Sequence, residues 1–328
     1  MAFVKADRTK TFVRLAFTGP TNSGKTVSAI RAAQGIVKAN LIKKGNKNPT
    51  QEQIDDRIAI IDTERGRAQF YADRNEDDYK TGHFFHENFT PPYSIKRYID
   101  LVNEAAELVG EEGVVIIDSL SHAWAYSGGL LEQKTEMETK RGVNSFTAWN
   151  EAGKMQNELV DRVLSANTHL IITLRSKMNY VMESTQEGKT EIRQIGLKPV
   201  QRDDLEYEFD ITLMLNKETH HANIIKDTTY LSAKIQPDGS IGKVDEAFGE
   251  ELIGWLDGGV DPKKKAEEER VRNVETIQKI CKANPDLADY FKEKVSPKKK
   301  ARDLDLNATR KALHKLYSVK ELYDNEEA

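Results

Sequence analysis

Gly19, Pro20, Thr21, Asn22, Ser23, Gly24, Lys25 and Thr26 are the residues whose types and spacing point most directly to chemistry. They fit the pattern GxxxxGK[ST] at each fixed position. In such a loop, glycines let backbone N–H groups curl around a phosphate. The lysine reaches the β/γ-phosphates, and the hydroxyl takes Mg²⁺. These eight residues are the expected nucleotide-binding set, with ATP and Mg²⁺ as the expected cofactors; the plainer alternative is a glycine turn with a surface lysine. Two apolar runs end in carboxylates. Val114 to Ile117 lead into Asp118, expected to organise Mg²⁺ together with Thr26, with Ser119 beside it. Ile58 to Ile61 lead into Asp62-Thr63-Glu64, where Glu64 is expected just past the strand end, free to face the γ-phosphate. A carboxylate there can take a proton from attacking water. Glu64 and Lys25 are therefore the expected catalytic residues, against the readings of a strand-ending Asp118 and of a surface Glu64 beside Arg65 and Arg67.

Positioning these groups needs strands on one side and a helix on the other. Val13 to Phe17 alternates as a strand, and Val27 to Val37 is apolar at helical spacing through Ile30 and Ala33. The helix then points its positive N-terminus at the anion. Buried strands are expected at 58–61, 114–117 and 170–174, with helices over about 95–110 and 146–166. Runs this apolar suit a parallel sheet covered on both faces, and the alternation implies a three-layer α/β domain. Asn40 to Asp56 reads as a surface insertion, and Tyr126 to Asn144 as a glycine-containing loop. Further strands are expected at Phe209 to Leu215 and Tyr230 to Ile235, with Pro237-Asp238-Gly239 as a turn.

The chain has 328 residues, 49 basic and 53 acidic, for a net charge of −4. That balance predicts no bulk polyanion binding, so any nucleic-acid contact must be local. Residues 262–328 carry 17 basic and 13 acidic residues, including Lys298-Lys299-Lys300. They are expected to be polar helices broken near Pro285 and Pro297, either a solvated tail or a contact for nucleic acid or a partner. The domains expected are thus 1–261 and 262–328. Cys281 is the single cysteine and excludes an intramolecular disulfide. No apolar run approaches the roughly 20 residues that span a bilayer. With a polar Met1 to Thr11, the expectation is a cytoplasmic protein.

Strand–Asp–x–Glu after the loop's helix, then an apolar strand ending Asp118-Ser119, resembles the RecA-type ATPase core. In that family the Glu is the catalytic base and the Asp belongs to the Walker B motif. The chain resembles more closely the RecA-like AAA-family ATPases encoded by bacteriophages. The resemblance rests on Gly19 to Thr26, Ile61 to Ala68, Ile117 to Trp124 and Gly196 to Arg202, and covers about 12–257. It implies a three-layer RecA-like P-loop NTPase core with a mostly parallel sheet, outside which the helical C-terminal appendage lies. It also implies Mg-dependent ATP hydrolysis supporting phage DNA recombination or single-strand annealing, in the host cytoplasm. The partners implied are single-stranded DNA, further copies of the chain with ATP between subunits, and a single-strand-binding protein.

Thr173 and Arg175 end the strand at 170–174, where RecA-type cores place a γ-phosphate sensor; RecA itself has Gln where this chain has Thr173. Lys198 and Arg202 are candidates to complete a neighbouring subunit's ATP site, or else belong to a surface loop. Asn179 to Ile195 reads as a hairpin around Glu187-Gly188, with Lys177, Tyr180, Lys189 and Arg193 suited to single-stranded DNA or merely to solvent. Lys134, Lys140 and Arg141 form a second candidate. His122 is expected as a hydrogen-bonded structural residue, and Trp124 and Trp149 as core anchors. The His220-His221 pair lacks further ligands at metal spacing, so no zinc is assigned. The alternatives to a DNA-linked ATPase are a nucleotide-dependent assembly or regulatory module without DNA binding, and a small-molecule kinase. A kinase would need an arginine-rich lid that is not evident.

Overall fold

The apolar runs become the centre of one twisted sheet. In this computed structural model, residues 11–76, 79–184, 190–203, 205–258 and 262–326 are described, with backbone alone at 79, 178–184, 190–196, 262–266 and 320–326. The first compact unit spans Thr11–Leu256 and the second begins at Asp257.

In the first unit, β1 (Arg14–Gly19) leads through the glycine loop into α1 (Lys25–Lys43). Then follow α2 (Gln51–Asp55), β2 (Ile58–Asp62), the short pair β3 (Asn75–Glu76) and β4 (Tyr79–Lys80), and β5 (Phe85–Asn88). Next come α3 (Ile95–Val109), β6 (Val114–Asp118), α4 (His122–Ala125), α5 (Leu130–Glu138) and α6 (Ser145–Leu164). The unit continues through β7 (His169–Ser184), β8 (Thr190–Pro199), β9 (Ile211–Leu215), β10 (Ala222–Asp227) and α7 (Glu246–Asp257).

The strand order is β10-β9-β1-β7-β6-β2-β5, with β8 paired to β7. The strands from β9 to β5 run parallel, and β10 and β8 are antiparallel additions. Residues of the central strands alternate between two cores, as a strand's period of two demands. Leu15, Phe17, Ile58, Ile60, Val114 and Ile116 pack with α1 and α7. Ala16, Ala59, Ile61, Val115, Ile117 and Ile172 pack with α3 and α6 on the other face. The result is the expected three-layer α/β fold with a mostly parallel sheet.

The buried guanidinium of Arg14 donates to the carbonyls of Leu164, Ala166 and Thr168 at 2.8, 2.5 and 2.7 Å, capping the end of α6. Behind the phosphate loop, α1 and α7 meet backbone to backbone. A Cβ on Gly35 would lie 1.9 Å from the Glu246 carbonyl oxygen, and one on Gly249 would lie 2.2 Å from that of Ala32. Side chains at either position would force the two helices apart.

Several expectations change. Asn40 belongs to α1, buried, with its amide on the Glu112 carbonyl, and α2 takes 51–55, so that only 44–50 remain a largely exposed surface turn. A capping box between Thr50 and Gln53 starts α2. Tyr126 to Asn144 is not one loop, since α5 fills its middle. The strand that follows β9 is β10, at Ala222–Asp227, and Tyr230 to Ile235 is not a strand: Leu231–Lys234 form a 3₁₀ turn. Asp227 starts that turn by accepting from the backbone N–H groups of Thr229 and Ser232.

The second unit contains α8 (Pro262–Ala283), α9 (Pro285–Tyr290) and α10 (Leu306–Glu326). It has a small core of its own from Val274, Ile277, Leu287, Phe291, Leu304, Ala312 and Leu316. Asn284 caps α9, and Pro285 fits its first turn, where the missing N–H goes unused. No described helix is long and apolar enough to cross a membrane.

Candidate active site

The glycine loop sits at the C-terminal edge of β1, with β7 on one side and β9 on the other. Asn22 and Gly24 have φ of 64° and 88°, the left-handed region that turns successive N–H groups the same way. Gly24 caps α1 without a side-chain hydrogen bond, and no acidic residue lies in the first turn of the helix. Open N–H donors at the positive end of a long helix suit an anion. Ser23 Oγ is buried in the loop without a hydrogen-bond partner. The Lys25 ammonium folds back, donating to the Gly19 and Pro20 carbonyls at 3.0 and 2.8 Å. Burial lowers its pKa, opposed by the charges of Asp118 and Glu64.

Asp118 ends β6 in register with Asp62 on β2. Thr26 Oγ1 donates to Asp118 Oδ2 at 2.6 Å, and Thr173 Oγ1 donates to Oδ1. Burial raises the Asp118 pKa, and these two hydroxyl bonds partly offset the rise. A carboxylate and a threonine hydroxyl in contact are the oxygen donors a hard divalent cation such as Mg²⁺ takes. The residues present therefore fit both a phosphate chain and its metal.

The two carboxylates after β2 do different things. Asp62 is fully buried and accepts from the backbone of Glu64 and Ala68 at 2.6 and 2.8 Å and from His86 at 3.1 Å. It ties down the turn that presents Glu64. Glu64 itself is not free: Arg175 grips both its oxygens, Nε at 2.5 Å from Oε1 and Nη2 on Oε2. Tyr126 shares the same guanidinium, its hydroxyl accepting from Nη1 at 2.6 Å. Burial alone would lower the Arg175 pKa, but the hydrogen bonds and charge of Glu64 outweigh it and raise it.

Beneath these groups lies a polar brace. Thr63 Oγ1 meets His122 Nδ1 at 2.6 Å and accepts from the Ser119 N–H at 2.8 Å. Tyr93 and Tyr98 donate their hydroxyls to the carbonyls of Thr63 and Ser119. Burial, aided by the Arg175 charge, holds the His122 imidazole down at a pKa of about 4, so it is neutral.

The stretch that builds this site, residues 11–243, matches one family model, described as AAA domain. The chain belongs to this AAA domain family. No curated protein matches the sequence. Among solved structures, a KaiC-like protein from the hyperthermophilic archaeon Pyrococcus horikoshii OT3 matches at 13% identity, covering 67% of this chain and 79% of that one, with a TM-score of 0.33. A second solved structure, the ATPase domain of another protein, matches at 11% identity, covering 67% of this chain and 77% of that one, with a TM-score of 0.31.

This AAA domain thus gathers Gly19–Thr26, Asp118, Thr173, Glu64 and Arg175 at one sheet edge. Thr173 faces Asp118 rather than open space. Lys198 pairs instead with Asp203 at 2.5 Å, and Arg202 donates to Asn157 at 3.0 Å. Lys134 is bound to Glu138 and lies over the Trp149 ring, while Lys140 and Arg141 are exposed. The tip of the Asn179 to Ile195 hairpin, with Glu187, Gly188 and Lys189, lies outside the described residues, as do the side chains of Tyr180 and Arg193; the strands leading to it do pair. Trp149 is no core anchor: it is 45% exposed, and Phe146 on the same face of α6 is 75% exposed. Sequence reading placed Tyr126 only as a loop boundary and weighed His220 only as a zinc ligand. The latter, with φ of 57°, would lie 3.4 Å from a Cβ on Gly24. A non-glycine residue at positive φ was the structural signal, invisible in the letters. A separate cavity of about 910 Å³, lined by Lys38, Asp55, Asp73 and Arg74 among others, contains none of the motif residues.

Proposed function

We propose that the chain is a Mg-dependent ATPase with Glu64 as the catalytic base. The observation that carries this is the joining of phosphate loop to Asp118 through Thr26, with Glu64 presented by the neighbouring turn. Backbone N–H groups of Ser23 to Thr26 bind phosphate oxygens. Lys25 exchanges its loop carbonyls for the β/γ-phosphates, where its charge offsets charge developing in the transition state. Thr26 and Asp118 hold Mg²⁺, which would neutralise phosphate charge. Thr173 orients the Asp118 carboxylate. Glu64 orients water and takes its proton once the Arg175 guanidinium has moved off.

In this reading the ATPase serves phage DNA recombination or single-strand annealing as a homo-oligomer, with ATP at subunit interfaces and Lys198 or Arg202 reaching a neighbour's site. Single-stranded DNA and a single-strand-binding protein are the proposed partners. Support for a strand-binding role comes from Phe146 and Trp149, exposed one helical turn apart, beside the exposed Lys140 and Arg141. Stacking faces with nearby cations suit bases and phosphates without sequence choice.

The test is ATP hydrolysis with and without oligothymidylate over a salt series. Stimulation that fades as salt rises is expected. ATP turnover indifferent to DNA, with no DNA bound at low salt, would move the reading to a nucleotide-dependent assembly module. No turnover at any Mg²⁺ concentration would remove the ATPase reading.

A further inference from the structure

The second unit carries an apolar notch with a positive rim. Its volume is about 330 Å³, and its lining is Val295, Leu304, Ala308, Ala312 and the stems of Lys311 and Lys315, with His314 beside them. The floor is part of that unit's core, since Leu304 and Ala312 are buried while Val295 and Ala308 are half-buried. Residues 290–316 hold nine basic and three acidic residues. Lys298, Lys299 and Lys300 are exposed on the loop joining Val295 to Leu304, and Ser296 fixes that loop by donating to the Lys299 carbonyl at 2.7 Å. Arg310 and Lys292 are paired with Glu269 and Asp289. Among the described residues, Lys298, Lys299, Lys300, Lys311 and Lys315 have no acidic partner.

Lys311 and Lys315, without an acidic partner among the described residues and set against a floor of aliphatic carbon, are complementary to a ligand with both negative charge and a bulky apolar group. We infer that this notch docks a short acidic peptide segment of a partner protein, one large apolar side chain entering the space over Ala308 and its carboxylates meeting Lys311, Lys315 and the Lys298–Lys300 loop. The floor decides between peptide and nucleic acid. Phosphate contacts need cations alone, and unpaired bases need aromatic faces to stack on. Val295, Leu304, Ala308 and Ala312 offer no aromatic face, and the lining's one ring, the exposed His314 imidazole, is a single face where a run of bases needs several. An apolar anchor in a pocket with a charged rim is the anatomy of a protein-recognition hot spot.

The experiment uses the full-length protein and fluorescein-labelled decapeptides in a polarisation assay. One set is aspartate-rich with a central leucine, phenylalanine or tryptophan; one keeps the aspartates without the apolar residue; one keeps the apolar residue with serine in place of aspartate. Labelled oligothymidylate is the nucleic-acid probe. Among the peptides, binding is expected only for the first set, weakening as salt screens the rim. The double variant Lys311→Glu, Lys315→Glu should bind about tenfold more weakly, from two exposed ion pairs lost. Ala308→Arg keeps the positive charge but fills the notch, and should abolish peptide binding while leaving oligothymidylate binding unchanged. Circular dichroism of both variants checks that the helices persist. The inference is overturned if no peptide of the first set binds. It is equally overturned if those peptides bind no better than the two controls, if Ala308→Arg leaves their affinity unchanged, or if Lys311→Glu, Lys315→Glu weakens oligothymidylate alone.

Discussion

The two halves of the cleft stand in different states. On the phosphate and metal side, Thr26 and Thr173 already aim both oxygens of Asp118, and the helix N-terminus presents unspent N–H donors. On the water side, Glu64 is presented by a turn just as firmly held, through Asp62, yet its carboxylate is taken up by Arg175. On the proposed reading, the binding half is ready and the hydrolytic half is latched by the Arg175–Glu64 pair. Arg175 sits on β7, the strand that runs on into the β8 hairpin, so whatever moves that hairpin acts on the latch directly. On the proposed reading, a site built this way would bind nucleotide before it is competent to turn it over.

Substitutions can break this contrast. The largest effect is expected at Glu64→Gln, where ATP affinity in an equilibrium titration stays near wild type while turnover falls about 10²–10⁴-fold, the range of a lost general base. Lys25→Ala should instead lose ATP binding itself. Equal loss of binding in both would erase the division into halves.

Next comes the brace beneath both halves. His122 is neutral in the fold with its pKa depressed to about 4, against an ordinary value of 6.5. Its contribution to stability is full above about pH 6.5 and is lost as pH falls toward 4, because the unfolded chain binds the proton first. Over that window the loss integrates to about 3 kcal/mol. Denaturant unfolding at a series of pH values checks this, with His122→Gln expected to flatten the acid limb.

Thr173→Val keeps the shape but removes one bond to a buried carboxylate, worth about 1.5–3 kcal/mol. A higher Mg²⁺ concentration for half-maximal hydrolysis, with ATP affinity measured in EDTA unchanged, is the expected outcome. Arg175→Ala sharpens the comparison with the smallest change: freeing Glu64 should raise DNA-independent turnover, by about tenfold at most for one partly exposed ion pair. A fall in basal turnover would mean that Arg175 serves the reaction rather than restraining it.

Some elements were legible without coordinates because their signals are local. The burial of every residue from Ile58 to Asp62 and from Val114 to Asp118 follows from unbroken apolar runs, and the glycine loop from its spacing. Others were hidden because their signals are not local. The strand at Ala222–Asp227 contains Asn223 and Lys226 and reads as polar; it is a strand because β9 offers it an edge. Tyr230, in the strand-like run that follows it, stacks on Trp255. Trp149 reads as core by residue type, but its place on α6 leaves it half in solvent, against Lys134 and Trp124.

By itself, the sequence determined the phosphate loop, the two carboxylate-ended strands and the parallel α/β fold, since each depends on spacing within a few residues. Only the tertiary structure decided that Thr173 serves Asp118, that Arg175 holds Glu64, and that Val295 and Lys311 line one notch. These pairings join residues from 16 to 111 positions apart, and no periodicity reaches that far. Chain topology brings them together, and the side-chain charges then choose their partners at contact distance, where burial makes each choice costly to reverse.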